Sequence, residues 1–185
     1  MSGPPLRRTD RAVSAERAHE ILLGGFSGRL GTVGPDGWPY VVPLLYVWVD
    51  GLIYVHNSGA RGHLRQNVEH EPRVCFEVDE PGDVFPYGRF ECDTALEYRS
   101  VIVFGTIRIV SDREEKARFC SELMRKYGDA AWGRPAEFYP RLDEIAVYRI
   151  GVERMTGKET PLPVASRRWP QTDQTKSPHA VPPPQ

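Results

Sequence analysis

The segment from Tyr54 to Val68, YVHNSGARGHLRQNV, concentrates polar side chains of the kinds that bind ligands. It starts as an apolar strand and continues into a helical pattern. Gly59 and Gly62 let backbone amides approach a ligand closely, and free amides at the start of a helix attract anions. Arg61 and Arg65 could add charge-assisted hydrogen bonds to such an anion. The segment therefore predicts a phosphate site between a strand and a helix.

The same residues are also compatible with an ordinary surface helix. Ser58 is a good N-cap residue for a helix from about Ala60 to Glu69, and its arginines would then only be solvated. The nucleoside-triphosphatase phosphate loop G-x-x-x-x-G-K-[ST] is absent, and so is the dinucleotide-binding pattern G-x-G-x-x-G. Local residues alone leave both interpretations open.

Other chemistries have weaker support in the sequence. Of the histidines, no two form an H-E-x-x-H pair, so we expect no metal site. Cys75, Cys92 and Cys120 are odd in number and form no CxxC pair, which argues against disulfides and favours a reducing cytoplasm. An aromatic set, from Trp38 to Trp48, is more typical of a strand face than of a base-stacking surface.

Composition sets the class of protein. The 185 residues are 40% hydrophobic and 26% charged, with a formal net charge of −1. These values are typical of one globular domain and do not favour binding to nucleic acid or to an acidic membrane. The sequence has no run of 18 apolar residues, and its first residues lack the apolar core of a signal peptide. We expect a cytoplasmic protein.

The patterning predicts an α+β fold that is mainly β. Helices are expected at SAERAHEILLGG, capped by Ser14, and at SDREEKARFCSELMRKYG, where Ser111 and Glu114 form a capping box. About six strands, joined by turns such as Asp50-Gly51, indicate an antiparallel sheet, which a small barrel would close. Pro39 and Pro43 require an irregular or edge position for their strand. The predicted divisions are a flexible N-terminus (1–13), a barrel domain (14–156) and a Pro-rich, largely disordered tail (157–185).

Four segments in this order carry a family resemblance. They are GTVGPDGWPYVVPLLYVWVDGLIYVH, the GHL at 62–64, PRVCFEV at 72–78 and YRSVIVFGTIRIV at 98–110. Together they resemble the flavin-binding split-barrel family related to pyridoxamine 5′-phosphate oxidase, and within it the nitroimidazole-resistance (Nim-like) branch. The resemblance implies a six-stranded antiparallel split β-barrel with peripheral helices. It also implies a homodimer with flavin mononucleotide (FMN) at the subunit interface.

The resemblance assigns cofactor-binding residues in four groups, whereas catalytic residues are not assigned. Val42, Pro43 and Leu44 match the strand whose backbone borders the flavin ring, and His56, Asn57 and Ser58 match the strand end that meets the cofactor. Arg61, Gly62 and His63 match the phosphate-side loop. Arg99 and Ser100 match a strand that helps to close the site from the same or the second subunit.

The sequence departs from the family pattern at Leu64, where close relatives often carry a lysine after GH. The phosphate charge would then be balanced by Arg61, Arg65 or Arg99.

The resemblance implies an FMN-dependent oxidoreductase that reduces a small electron-poor molecule. A non-catalytic flavin-binding or carrier protein is an alternative. The same fold could also bind haem, with His56 or His63 as an axial ligand, or a deazaflavin, which would need a wider basic groove.

Overall fold

The structure is a computed structural model that describes residues 4–88 and 90–164. These residues form three α-helices, two short 3-10 turns and seven β-strands. The helices are α1 (Ala15–Gly24), α2 (His63–His70) and α3 (Arg113–Tyr127). The strands are β1 (Gly28–Val33), β2 (Pro39–Leu44), β3 (Tyr46–Val49), β4 (Leu52–Ser58), β5 (Arg73–Pro86), β6 (Thr94–Val110) and β7 (Ile145–Thr160).

The strands form one antiparallel sheet in the order β2-β1-β5-β6-β7-β4-β3. Although β2 and β3 lie at opposite edges of this sheet, only Leu45 separates them in the chain. The sheet must therefore curve until its two edges meet at Leu45, and no ladder joins β2 to β3. This is a split barrel, which confirms the predicted fold class. The sheet has seven strands rather than the predicted six, because the chain stops pairing with β1 at Leu45 and continues as β3, which pairs with β4.

The two prolines lie in the edge strand β2, as predicted. Its ladder pairs with β1 alone, with Pro43 opposite Arg29 and Pro39 opposite Val33. An edge strand tolerates proline because it has one side on which no N–H is needed. At Gly105 a bulge interrupts the ladder between β6 and β7. A Cβ atom there would lie 2.1 Å from the carbonyl oxygen of Gly151, so only glycine fits.

Two apolar clusters stabilise the barrel. The larger fills its interior and includes Leu30, Phe76 and Tyr148, with α1 and α2 packed against it. The smaller lies outside, where Phe119 of α3 packs against Tyr54 and neighbouring residues of the sheet. Helices α1 and α2 therefore cover one face of the sheet, and α3 covers the other.

The predicted helix starts are partly correct. Ser14 accepts a hydrogen bond from the Arg17 amide at 3.2 Å and caps α1 as expected. Helix α3 is capped by Asp112, which accepts from the Glu115 amide at 2.7 Å, so the predicted Ser111 cap is wrong by one residue. Both residue types are good N-caps, and β6 continues through Val110, which delays the start of the helix.

Regular β-structure extends past both predicted ends of the barrel domain. Strand β7 runs to Thr160, beyond the predicted boundary at 156, and Ala12 forms a β-bridge with Lys158. The remainder of the predicted tail, from residue 165, lies outside the described residues. Within the described ranges, no helix has the length and apolar character needed to cross a membrane.

Candidate functional site

The loop between β4 and α2 is longer than the sequence predicts. Ser58 is the last residue of β4 and pairs with Ile145, and the Gly59 amide donates to the Glu144 carbonyl at 2.7 Å. This pairing keeps the chain extended, so α2 begins only at His63 and Gly62 occupies the N-cap position. The predicted Ser58 cap is therefore wrong. No side chain among the described residues caps α2, which leaves its first amides available to an anion.

The two glycines of this loop have different roles. A Cβ atom at Gly59 would approach the Glu144 carbonyl oxygen to 2.8 Å, so this glycine permits close packing of the loop on the strand. A Cβ atom at Gly62 would meet open space. Gly62, at the start of α2, is thus the glycine at which a ligand can approach the backbone.

Arg61 and Arg65 converge on Glu69. Arg61 donates from Nη2 at 2.6 Å and from Nε at 3.1 Å to Oε2 of Glu69, and Arg65 donates from Nε at 3.0 Å to Oε1. The Arg61 guanidinium first, and then that of Arg65, lower the pKa of Glu69. The Arg61 side chain is 68% exposed. Two guanidinium groups therefore lie together along one side of α2 and share one carboxylate.

His56 and Asn57 point to opposite faces of β4. Asn57 Oδ1 accepts a hydrogen bond from the Tyr148 hydroxyl at 3.2 Å on the barrel side. The His56 ring lies 5.3 Å from the Phe119 ring on the α3 side, and its buried Nδ1 has no hydrogen-bond partner among the described residues. Desolvation by burial lowers the pKa of His56. His56 therefore faces away from the side on which Asn57 lies.

A groove of about 470 Å³ connects the start of α2 with the start of β2. The His63 and Tyr40 rings contact each other across it, with centroids 5.7 Å apart. Trp38, which is 74% exposed, lies on its rim, and Gln66 and Asn67 line its α2 side. The Asn67 amide also donates to the Thr32 hydroxyl at 3.0 Å, which fixes α2 against β1.

The residues predicted on β2 alternate between the core and solvent. Val42 and Leu44 pack against the interior cluster, and Pro43 is exposed. Val41, beside Pro43, is 63% exposed. Exposed apolar side chains on an edge strand are unusual where a protein surface faces only solvent, and they favour contact with a ligand or another chain.

Arg99 and Ser100 lie far from the end of β4 in the same chain. His56 pairs with Val147, and Val147 pairs with Val110, at the end of β6. Arg99 is eleven residues earlier on this strand, a path of about 36 Å. Arg99 forms an ion pair with Glu80, and Ser100 is buried. One chain thus brings His63, which follows Arg61 and Gly62, against Tyr40 of β2 but does not bring Arg99 or Ser100 to the end of β4.

The sequence interpretation did not single out Gln66 and Glu69, and it assigned Trp38 and Tyr40 only to a strand face. An Arg-to-Glu spacing of four residues on a helix, as at Arg65 and Glu69, is a recognisable pairing pattern that could have identified Glu69. The groove itself could not be found this way, because it depends on how α2 packs against β1 and β2.

A family model described as pyridoxamine 5′-phosphate oxidase matches residues 14–159 of the chain. No curated protein is significantly similar to it.

Solved structures share the fold. The flavocytochrome Anf3 from Azotobacter vinelandii is 20% identical, with a TM-score of 0.72, over 98% of this chain and 86% of its own. A candidate 5-nitroimidazole antibiotic resistance protein from Bacteroides thetaiotaomicron is 21% identical, with a TM-score of 0.65, over 80% and 85% of the two chains. A FAD-binding protein from Mesorhizobium loti is 26% identical, with a TM-score of 0.59, over 81% and 97%.

The buried His56 should make stability depend on pH. Because the folded pKa of His56 is lowered from 6.5, the unfolded chain binds a proton below pH 6.5 that the folded chain does not. The free energy of unfolding should therefore fall as the pH drops below 6.5. We expect His56→Gln to make this fall smaller in urea denaturation at pH 7.5 and 5.5. The same change at the exposed His70 is the control, and an unchanged pH dependence in His56→Gln would contradict the assignment.

Proposed function

Because the chain belongs to the pyridoxamine 5′-phosphate oxidase family, we propose that it is an FMN-binding oxidoreductase that reduces small electron-poor compounds. One observation carries the proposal. Arg61 directly precedes the uncapped start of α2 and Arg65 belongs to its first turn, and the helix start opens onto a groove at the start of the edge strand β2, where His63 contacts Tyr40. Cations and free amides suit a phosphate, and an apolar edge next to them suits a planar ring.

The residues present fit the phosphate end of FMN. The amides of the first turn of α2 and the exposed Arg61 side chain supply donors of the type that bind phosphate. Leu64, at the position where close relatives often have a lysine, is only 4% exposed and belongs to the core. The positive charge at this end of the site therefore comes from arginine rather than lysine.

The edge strand supports the ring end of the proposal. Val41 and Pro43 present apolar surface, and Pro39 and Pro43 remove two N–H groups from the β2 backbone. When bound, a flavin supplies hydride or single-electron transfer. The chain's own contribution is to hold the phosphate through Arg61 and the start of α2, and to cover one side of the ring with β2.

The Nim-like resemblance suggests the substrate class. A small electron-poor molecule, such as a nitroimidazole, needs only access to the ring and little recognition by the protein. The open groove at the start of β2 would admit such a molecule.

We also propose that the active form is a homodimer. Arg99 and Ser100, which the family resemblance assigns to the site, lie far along β6 from the end of β4 in one chain. A second chain could bring its own Arg99 end to β2 of the first. Covering the exposed apolar residues of β2 would favour this contact.

Arg61→Ala should weaken FMN binding and leave riboflavin binding unchanged, because riboflavin lacks the phosphate. Loss of an exposed charge-assisted bond should reduce FMN affinity about tenfold. The measurement is fluorescence titration of flavin-free protein with each ligand, and Arg73→Ala is the control, since Arg73 pairs with Glu71 instead. Equal weakening of both ligands would move Arg61 to the ring or ribityl chain, and no binding of either would contradict the proposed function.

An oxidoreductase should pass electrons from its flavin to the substrate. In an anaerobic cuvette, FMN on the protein is photoreduced with EDTA as the electron donor, the light is switched off, and a nitroimidazole is then added. The flavin absorbance near about 450 nm should return faster than it does for free reduced FMN at the same concentration. Recovery no faster than that of free FMN would support a flavin-carrier protein instead.

The protein should be a dimer at micromolar concentration. Light scattering with FMN bound should give a mass twice the 21.0 kDa of one chain. Val41→Lys, which places a charge on the exposed face of β2, should shift the mass towards the monomer. A monomeric wild-type protein that retains its flavin would overturn this part of the proposal.

A further inference from the structure

Glu69 occupies the place in the arginine pair where a ligand anion would bind. Its two carboxylate oxygens are divided between the two arginines, with Oε2 accepting from Arg61 and Oε1 from Arg65. A carboxylate that accepts from two guanidinium groups satisfies the same donors that a phosphate would use. In the described structure these donors are therefore engaged within the chain.

We infer that Glu69 is a built-in competitor for the flavin phosphate, and that it limits how strongly the site prefers FMN over riboflavin. The inference rests on the proposed function, because it concerns the same phosphate site. The inference adds to the site an acidic residue that weakens phosphate binding, a residue type that no phosphate-binding sequence pattern includes.

The positions of the three residues explain how the competition arises. Arg65 and Glu69 are four residues apart on α2, a spacing that places their side chains side by side on one helix face. Arg61 belongs to the loop before the helix and reaches the same carboxylate from eight residues away. Glu69, in the last turn of α2, is thus the common partner of a cation from the loop and a cation from the first turn of the helix.

The pairing is of a kind that a phosphate can displace. The Arg61 side chain is 68% exposed, and those of Arg65 and Glu69 are about one-third exposed. Ion pairs in contact with water contribute little to stability, so opening this one costs little. A phosphate has more acceptor oxygens and more negative charge than a carboxylate. It should therefore bind in place of Glu69, but against the repulsion of the displaced carboxylate.

Glu69 could instead act as a positioning residue that holds Arg61 and Arg65 ready for the phosphate. The two roles predict opposite results for Glu69→Gln, which keeps the shape of the side chain and removes its charge. Competition predicts tighter binding of FMN, and positioning predicts weaker binding.

The experiment is titration of flavin-free wild-type protein, Glu69→Gln and Glu71→Gln with FMN and with riboflavin. Glu71→Gln is the matched control, because Glu71 pairs with Arg73 and not with the loop. We expect Glu69→Gln to bind FMN roughly three- to tenfold more tightly, with riboflavin affinity unchanged. Glu71→Gln should match the wild type for both ligands.

A double variant isolates the route of the effect. If Glu69 acts by occupying the arginines, the gain in FMN affinity should be largely lost in Glu69→Gln/Arg61→Ala compared with Arg61→Ala alone. Unchanged or weaker FMN binding by Glu69→Gln would overturn the inference and leave the proposed function standing. A wild-type protein that binds neither flavin would overturn the proposed function, and this inference would fall with it.

Discussion

The single-residue connection at Leu45 constrains the rest of the sheet. It joins β2 to β3, although these strands form the two edges of a seven-stranded sheet. The sheet can satisfy this connection only by curving until its edges meet. The interior apolar cluster then fills the space that the curvature encloses. The backbone of β2 pairs on one side only, so the constraint that closes the barrel also leaves an accessible edge beside it.

The start of that edge strand lies next to the start of α2. Asn67 fixes α2 against β1 through Thr32, and the helix start therefore lies beside Tyr40 on β2. The loop before α2 cannot turn earlier, because β4 keeps pairing with β7 through Ser58. The start of β2 and the start of α2 are thus brought together by one hydrogen bond and one strand ladder.

Charge in the candidate site is balanced within the chain. Arg61 and Arg65 would repel each other if left unpaired, and Glu69 neutralises part of this charge. The two arginines and Glu69 together therefore carry one net positive charge rather than two. An anion that enters must bind these arginines more strongly than the Glu69 carboxylate does. A phosphate meets that requirement because it has more acceptor oxygens and more negative charge.

The sequence by itself determined the class of fold, the edge position of the proline strand and the Ser14 cap of α1. These depend on local properties, namely alternation of apolar residues, the missing proline N–H and the hydrogen bonding of a cap residue. The same local reasoning selected the loop with Arg61 and Gly62. The tertiary structure alone decided where α2 begins, since this depends on pairing between β4 and the distant strand β7. It also decided that His56 faces Phe119, that Glu69 holds both arginines and that Arg99 lies far from the end of β4, because each depends on which strands and helices pack together.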